Sequence, residues 1–184
     1  WGTGLDFSVP HREKVEIFLD EEESLKPLKW KKPRRIFVES MSDWCATFVT
    51  DEMRDRILAV AALCPQHTFL FLTKRAKECA EYFGNTLNQA SSWMAEDAIF
   101  QSVAGVATHP WPLANVHLGF SAENQQYFDE RWSLMRRLAE SGWKVWVSAE
   151  PLLSAIDMRA ALRLLAQVVV GGESGHGARP MNIA

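Results

Sequence analysis

Phe69-Leu70-Phe71-Leu72-Thr73-Lys74 runs through four apolar residues before it ends in a hydroxyl and a cation. Apolar and polar positions do not alternate. An unbroken apolar run of strand length suits a strand covered on both faces, the condition in a parallel sheet. The pattern returns in Arg35-Ile36-Phe37-Val38-Glu39-Ser40, Val116-His117-Leu118-Gly119-Phe120-Ser121, Val145-Trp146-Val147-Ser148-Ala149-Glu150 and Val168-Val169-Val170-Gly171-Gly172-Glu173. Each stretch turns polar at its C-terminal end, the edge where parallel α/β folds bind their ligands.

Helical periodicity fills the intervals. Thr50 is placed as an N-cap, Asp51 and Glu52 put negative charge in the first turn, and Met53, Ile57, Val60, Ala61 and Cys64 recur at helical spacing until Pro65. A second helix is predicted from about Glu123 to Ser141, with Phe128, Trp132, Met135 and Leu138 on one face and Gly142 at its end. Asp157 reads as the cap of a third, carrying Met158, Ala161, Leu162 and Leu165. A shorter helix follows Lys74 through Ala76, Cys79, Ala80 and Phe83 to Gly84. Val15-Glu16-Ile17-Phe18-Leu19 reads as an additional strand, and residues 85–112 as an insertion with one helix around Trp93 to Val103, positioned to serve as a lid.

Strand–helix–strand alternation argues for right-handed βαβ units. The predicted fold is therefore α/β, an incomplete parallel (β/α) barrel of the TIM type. It occupies a single domain over residues 1–184, because 184 residues fall short of the roughly 250 of a complete eightfold barrel.

Composition narrows the function. With 47% hydrophobic and 23% charged residues the chain reads as a soluble globular protein, and no apolar stretch approaches the ~20 residues that span a bilayer. No basic-then-apolar leader is read, so a cytoplasmic location is expected and a membrane role is not. A formal charge of −3 gives no global attraction to nucleic acid. Lys26 to Arg35 nevertheless packs cations densely, and Lys29, Lys31, Lys32, Arg34 and Arg35 are candidates for nucleic-acid or phosphate contact. Cys45, Cys64 and Cys79 fit no paired-cysteine metal spacing, so free buried thiols are expected and no metal ligand is named.

If the strands are parallel, one rim displays Glu39, Ser40, Ser42 and Asp43, then Thr73, Lys74 and Arg75, then Ser121 and Glu123, then Ser148 and Glu150, then Glu173, Ser174, His176 and Arg179. Carboxylates beside Lys and Arg suit a charged, zwitterionic ligand and allow acid–base work. Gly171 and Gly172, directly after a buried strand, let backbone N–H groups approach an anion or cofactor.

Leu28-Lys29-Trp30-Lys31-Lys32-Pro33-Arg34-Arg35-Ile36-Phe37-Val38 leading into Ser40-Met41-Ser42-Asp43, Pro65-Gln66-His67-Thr68-Phe69 with Leu72-Thr73-Lys74-Arg75, Val147-Ser148-Ala149-Glu150-Pro151-Leu152-Leu153, and Gly171-Gly172-Glu173-Ser174-Gly175 with Gly177-Ala178-Arg179-Pro180-Met181 together resemble an uncharacterised phage-associated family. Its members are similar to radical S-adenosylmethionine enzymes with a TIM-type barrel. The resemblance runs from about Val15 to Met181.

It implies a barrel mouth holding an iron–sulfur cluster and S-adenosylmethionine, used to modify a nucleic acid or a small molecule. Ser40, Ser42, Asp43, Thr73, Lys74, Ser121, Glu123, Ser148, Glu150, Gly171, Gly172 and Glu173 would line that cofactor and substrate cavity; no catalytic residue is assigned. The family's cluster cysteines would precede Trp1 and its closing helix and strand would follow Met181, so the chain is expected to be truncated at both ends and to bind no cluster itself. Three accounts fit: a fragment of a larger enzyme, a degenerate copy without catalysis, or a non-catalytic binding module that engages or inhibits a host complex. The last would use exposed Trp and Arg, with Trp30, Trp44, Trp93 and Trp111 the candidates among eight tryptophans.

Overall fold

The computed structural model describes residues 17–39, 42–85 and 111–181. Five strands, β1 (Arg35–Phe37), β2 (Thr68–Thr73), β3 (Val116–Ser121), β4 (Lys144–Ala149) and β5 (Leu165–Val170), form one sheet in the order β1-β2-β3-β4-β5, every neighbouring pair parallel. A short helix α1 (Glu21–Leu25) and a 3-10 turn (Lys26–Lys29) precede the sheet, and α2 (Asp51–Leu63), α3 (Ala76–Asn85) and α4 (Gln125–Glu140) connect its strands. Sequential order with right-handed crossovers carries every connecting helix to the same side. No described helix is long and apolar enough to cross a membrane.

Strand register divides the residues between two faces. Ile36, Phe69, Val116, Leu118, Val145 and Val147 lie on the helix-covered face and join the main hydrophobic core. Met135 and Leu138 of α4 pack there, with an aromatic chain running from Phe71 through Trp44 and Phe83 to Trp143. The other face carries Arg35, Leu70, His117, Gly119, Trp146 and Gln167.

The sheet curls toward that second face. In a flat sheet four inter-strand spacings of ~4.8 Å would hold the edge strands ~19 Å apart, beyond the reach of an Arg and a Gln together. Yet the Arg35 guanidinium on β1 donates to Gln167 Oε1 on β5 at 3.1 Å. Edge meets edge over the concave face, although no backbone pairing closes the sheet among the described residues. Trp146 fills this interior: the indole occupies the space of a Cβ at Gly119, where such an atom would also lie 2.5 Å from the Phe71 carbonyl oxygen.

Several expectations are met in detail and others are not. Thr50 caps α2 by accepting from the Met53 N–H at 3.3 Å, and α4 spans Gln125–Glu140 with Asn124 rather than a glutamate as its cap. Gly142, at φ +103°, takes the left-handed conformation that ends the helix. The helix expected after Asp157 is two successive turns, bonded from Ala161 and Leu162 N–H to Met158 O and from Leu164 and Leu165 N–H to Ala161 O. Asp157 spends its carboxylate on the N–H and guanidinium of Arg159, and β5 begins at Leu165, leaving no length for a helix. Ile17 to Leu19 are not in a strand, and Phe18 is exposed; Val15 and Glu16 lie outside the described residues, as does the helix expected around Trp93 to Val103.

The Gly119–Trp146 contact fixes the curvature, so Gly119→Ala is expected to lose about 1–3 kcal/mol of stability through overpacking. Urea unfolding of the two proteins checks it; equal midpoints would show that the interior tolerates a methyl group there.

Candidate functional site

Parallel register brings the strand C-terminal ends to one edge, and groups of polar contacts run along it. Asp43, in the loop after β1, holds the end of β2: its Oδ1 accepts from the Thr73 hydroxyl at 2.6 Å and the Cys45 N–H at 3.0 Å, and its Oδ2 accepts from the Lys74 N–H at 3.0 Å. The Thr73 oxygen in turn accepts from the Arg75 N–H at 2.9 Å. Lys74 reaches the next strand, its Nζ 2.7 Å from Glu123 Oε1. Arg131 on α4 completes that cluster, 3.1 Å from Glu123 Oε2 and donating to the Ser121 carbonyl at 2.7 Å.

Polar contacts continue beyond β3. The Leu153 N–H donates to the Glu123 carbonyl, and the Leu152 N–H to the Gly171 carbonyl, both at 2.8 Å. Ser148, buried at the end of β4, donates to Glu150 Oε2 at 2.9 Å. The other Glu150 oxygen lies against Gly171 so closely that a Cβ there would sit 2.5 Å from it. Past Gly172 the loop is clamped by Glu173, which accepts from the Arg179 guanidinium through both oxygens and from its N–H, each at 2.8 Å.

Of the residues named from sequence, Asp43, Thr73, Lys74, Ser121, Glu123, Ser148, Glu150, Gly171, Gly172 and Glu173 therefore share one rim. Ser42 is exposed there, with its N–H donating to the Glu39 carbonyl at 3.2 Å, and Ser40 lies outside the described residues. Lys29, Lys31, Lys32, Arg34 and Arg35 are elsewhere, at or before the opposite end of β1. Trp44 is 1% exposed and packs on Phe71, Tyr82 and Phe83, which removes it from the tryptophans proposed for surface contact. Trp93 is outside the described residues, and Trp30 and Trp111 are half-buried.

Electrostatics separates the carboxylates. Burial pushes Glu123 upward, but the Lys74 hydrogen bond, its own backbone N–H and the charges of Lys74 and Arg131 outweigh it and hold the group below the usual glutamate range. Glu173 is held at about 2, first by the Arg179 side chain and then by its N–H. Glu39 moves the other way: burial raises it, Asp43 adds repulsion, and Arg54 offsets only part. Its Oε2 is buried without a hydrogen-bond partner, and its backbone, at φ +55°, sits in a region that disfavours side chains. Glu39 is thus the one rim carboxylate stored in an uncomfortable state.

Arg131 and Arg54 were not legible as site residues, though both do structural work. Arg54 is buried and donates to the carbonyls of Trp44 and Ala46, pinning the β1–α2 loop from α2. A cavity of about 530 Å³ lies beside it, lined by Thr47, Thr50, Asp51, Glu78, Glu81 and Tyr82, on the helical side of the molecule and not in the concave mouth. Cys45, Cys64 and Cys79 are free and buried, and no group of three or more His, Cys, Asp or Glu among the described residues could hold a metal ion.

Residues 4–184 match the model of a family described as "Protein of unknown function (DUF5131)". The chain belongs to that family. No curated protein and no solved structure matches it. Within this DUF5131 chain the rim described above brings together charged and polar groups that follow separate strands.

A raised Glu39 implies that folding favours its protonated form, so its burial opposes stability above the ordinary glutamate range and ceases to do so below it. Glu39→Gln is therefore expected to raise the thermal midpoint at neutral pH and to leave it unchanged near pH 4, as followed by circular dichroism. A lower midpoint at both pH values would show a stabilising, ionised Glu39 instead.

Proposed function

We propose that the sheet is the larger part of an incomplete (β/α) barrel, and that its C-terminal rim takes a small zwitterionic ligand of the S-adenosylmethionine kind in a radical-S-adenosylmethionine-like protein of phage type. The observation that carries the reading is the linkage of Asp43, Lys74 and Glu123 at the ends of β1, β2 and β3, with Glu150 held by Ser148 at the end of β4, along one edge of a curled sheet. A ligand with an α-amino and an α-carboxyl group needs an acceptor for the one and a cation for the other. Glu150, exposed beside Gly171, suits the ammonium, and Lys74, with a side chain 61% exposed, suits the carboxylate.

The donor set fits that cofactor but not an iron–sulfur cluster. A cluster takes three or four converging thiolates, and all three cysteines are buried in the core, Cys45 included although its N–H holds the rim carboxylate Asp43. S-adenosylmethionine supplies an activated sulfonium carbon to whatever reaction it serves. The chain's own residues then bind and orient: Glu123, held low first by Lys74 and last by Arg131, anchors Lys74 with its charge at the mouth, and Asp43 fixes the backbone from which Lys74 projects. The substrate class that follows is a nucleic acid or small molecule presented at the same rim. A host-binding role through tryptophan contacts draws less support, because of its candidates Trp44 is buried and Trp30 and Trp111 are half-buried.

Titration calorimetry of the full chain with S-adenosylmethionine tests the reading. Saturable binding is expected, weakened about tenfold in Lys74→Gln, as loss of one charge-assisted hydrogen bond implies. Absence of both heat and thermal stabilisation would contradict it.

A further inference from the structure

The two edges of the sheet differ in charge. The segments that enter the strands read Lys31-Lys32-Pro33-Arg34-Arg35, Cys64-Pro65-Gln66-His67-Thr68, Leu113-Ala114-Asn115-Val116-His117, Ser141-Gly142-Trp143-Lys144 and Ala161-Leu162-Arg163-Leu164-Leu165, without one Asp or Glu. The segments that leave the strands hold Glu39, Asp43, Glu123, Glu150 and Glu173 beside Lys74, Arg75 and Arg179. Ion pairing sharpens the contrast. Lys26, Arg56, Lys74, Arg75, Lys77, Arg131, Arg136, Arg159 and Arg179 each have a carboxylate within 4.0 Å. Among the described residues Lys29, Lys31, Lys32, Arg34, Arg35, Arg137, Lys144 and Arg163 have none; all eight are exposed, and all but Lys29 and Arg137 lie in the strand-entry segments.

We propose that this strand-entry edge binds the phosphate backbone of a single-stranded nucleic acid. The curl of the sheet gathers the cations: Arg35 on β1 reaches Gln167 on β5, four residues past Arg163, and His117 on β3 pairs in register with Lys144 on β4. His117 senses the result. Burial, then Lys144 and Arg35, depress its protonation, so it adds a neutral ring rather than another charge. Trp30, half-buried just before β1, has the Arg34 guanidinium 4.3 Å from its ring centre, an aromatic-plus-cation pairing of the kind on which bases stack.

Competing charges lie to the side. Glu140, at the end of α4, is paired with Arg136, and the acidic α1 engages Arg56 of α2 and Lys26 through Glu21 and Glu23. A membrane surface fits less well, because the cations sit on rigid strand ends around a concavity and not on the polar face of an amphipathic helix. The proposal is independent of the rim at the other edge: either can fail alone.

Fluorescence anisotropy of the full chain with a labelled mixed-sequence single-stranded oligonucleotide is the test. Binding is expected to weaken with salt at a logarithmic slope between about −2 and −4, the range for three to six phosphate contacts. Lys32→Glu with Lys144→Glu is expected to weaken it about tenfold or more, and the milder Lys32→Gln with Lys144→Gln in the same direction. The control Lys77→Glu with Arg136→Glu makes the same change in net charge on the helices and is expected to stay within about twofold. Equal losses in the two charge reversals, no salt-dependent binding at about 50 mM salt, or tighter binding to phosphatidylserine vesicles than to the oligonucleotide would each overturn the proposal.

Discussion

The packing of Trp146 into the space left by Gly119 holds the rest of the molecule in place. Sequential parallel strands put their connecting helices on one side and leave the other face to be filled by the sheet's own side chains. An indole needs a neighbour without a Cβ to lie down within that face, and Gly119 on the adjacent strand provides it. With the interior filled, the edges can come together, as the Arg35–Gln167 contact records. A sheet curled in this way gathers strand ends that a flat one would spread across ~19 Å.

Two consequences follow at opposite ends of the strands. At the exit edge, polar groups from successive loops meet and satisfy one another, so Asp43, Glu123 and Glu173 are primarily fasteners, while Lys74 and Glu150 keep exposed charge. Glu39 departs from that pattern, with a left-handed backbone and an unpartnered buried oxygen. Strain retained at a strand end beside a polar mouth has a cost of about 1–3 kcal/mol, and such costs cluster at functional sites. At the entry edge, cations gather without partners. A single curvature thus produces two chemically unlike surfaces on a chain whose net charge is only −3.

Much of this was legible in the sequence because the determining signals are local. Buried parallel strands leave continuous apolar runs, and Thr50, Pro65 and Gly142 mark helix ends through their own conformational preferences. The start of β5 was harder to read: Leu165 looks helical beside Met158, Ala161 and Leu162, and only pairing with β4 reassigns it. Ile17 to Leu19 have strand-like composition but pair with no strand among the described residues, so propensity alone does not make them one. Rim residues could be named from their place after each strand, whereas their partners Arg131 and Arg54 could not, since contacts between a helix and a loop have no local signature. Trp44 follows a polar loop and looked available to a partner; the aromatic cluster from Phe71 to Phe83 claims it for the core.

Curvature is the claim on which both edges depend, and the distance between β1 and β5 tests it most directly. Nitroxide labels at positions 37 and 169, which share the concave face, would report it by dipolar coupling in the folded protein. The account predicts strong coupling, with a separation well below the ~19 Å of a flat five-stranded sheet. A separation at or above that distance would contradict it, and with it the convergence of either set of strand ends.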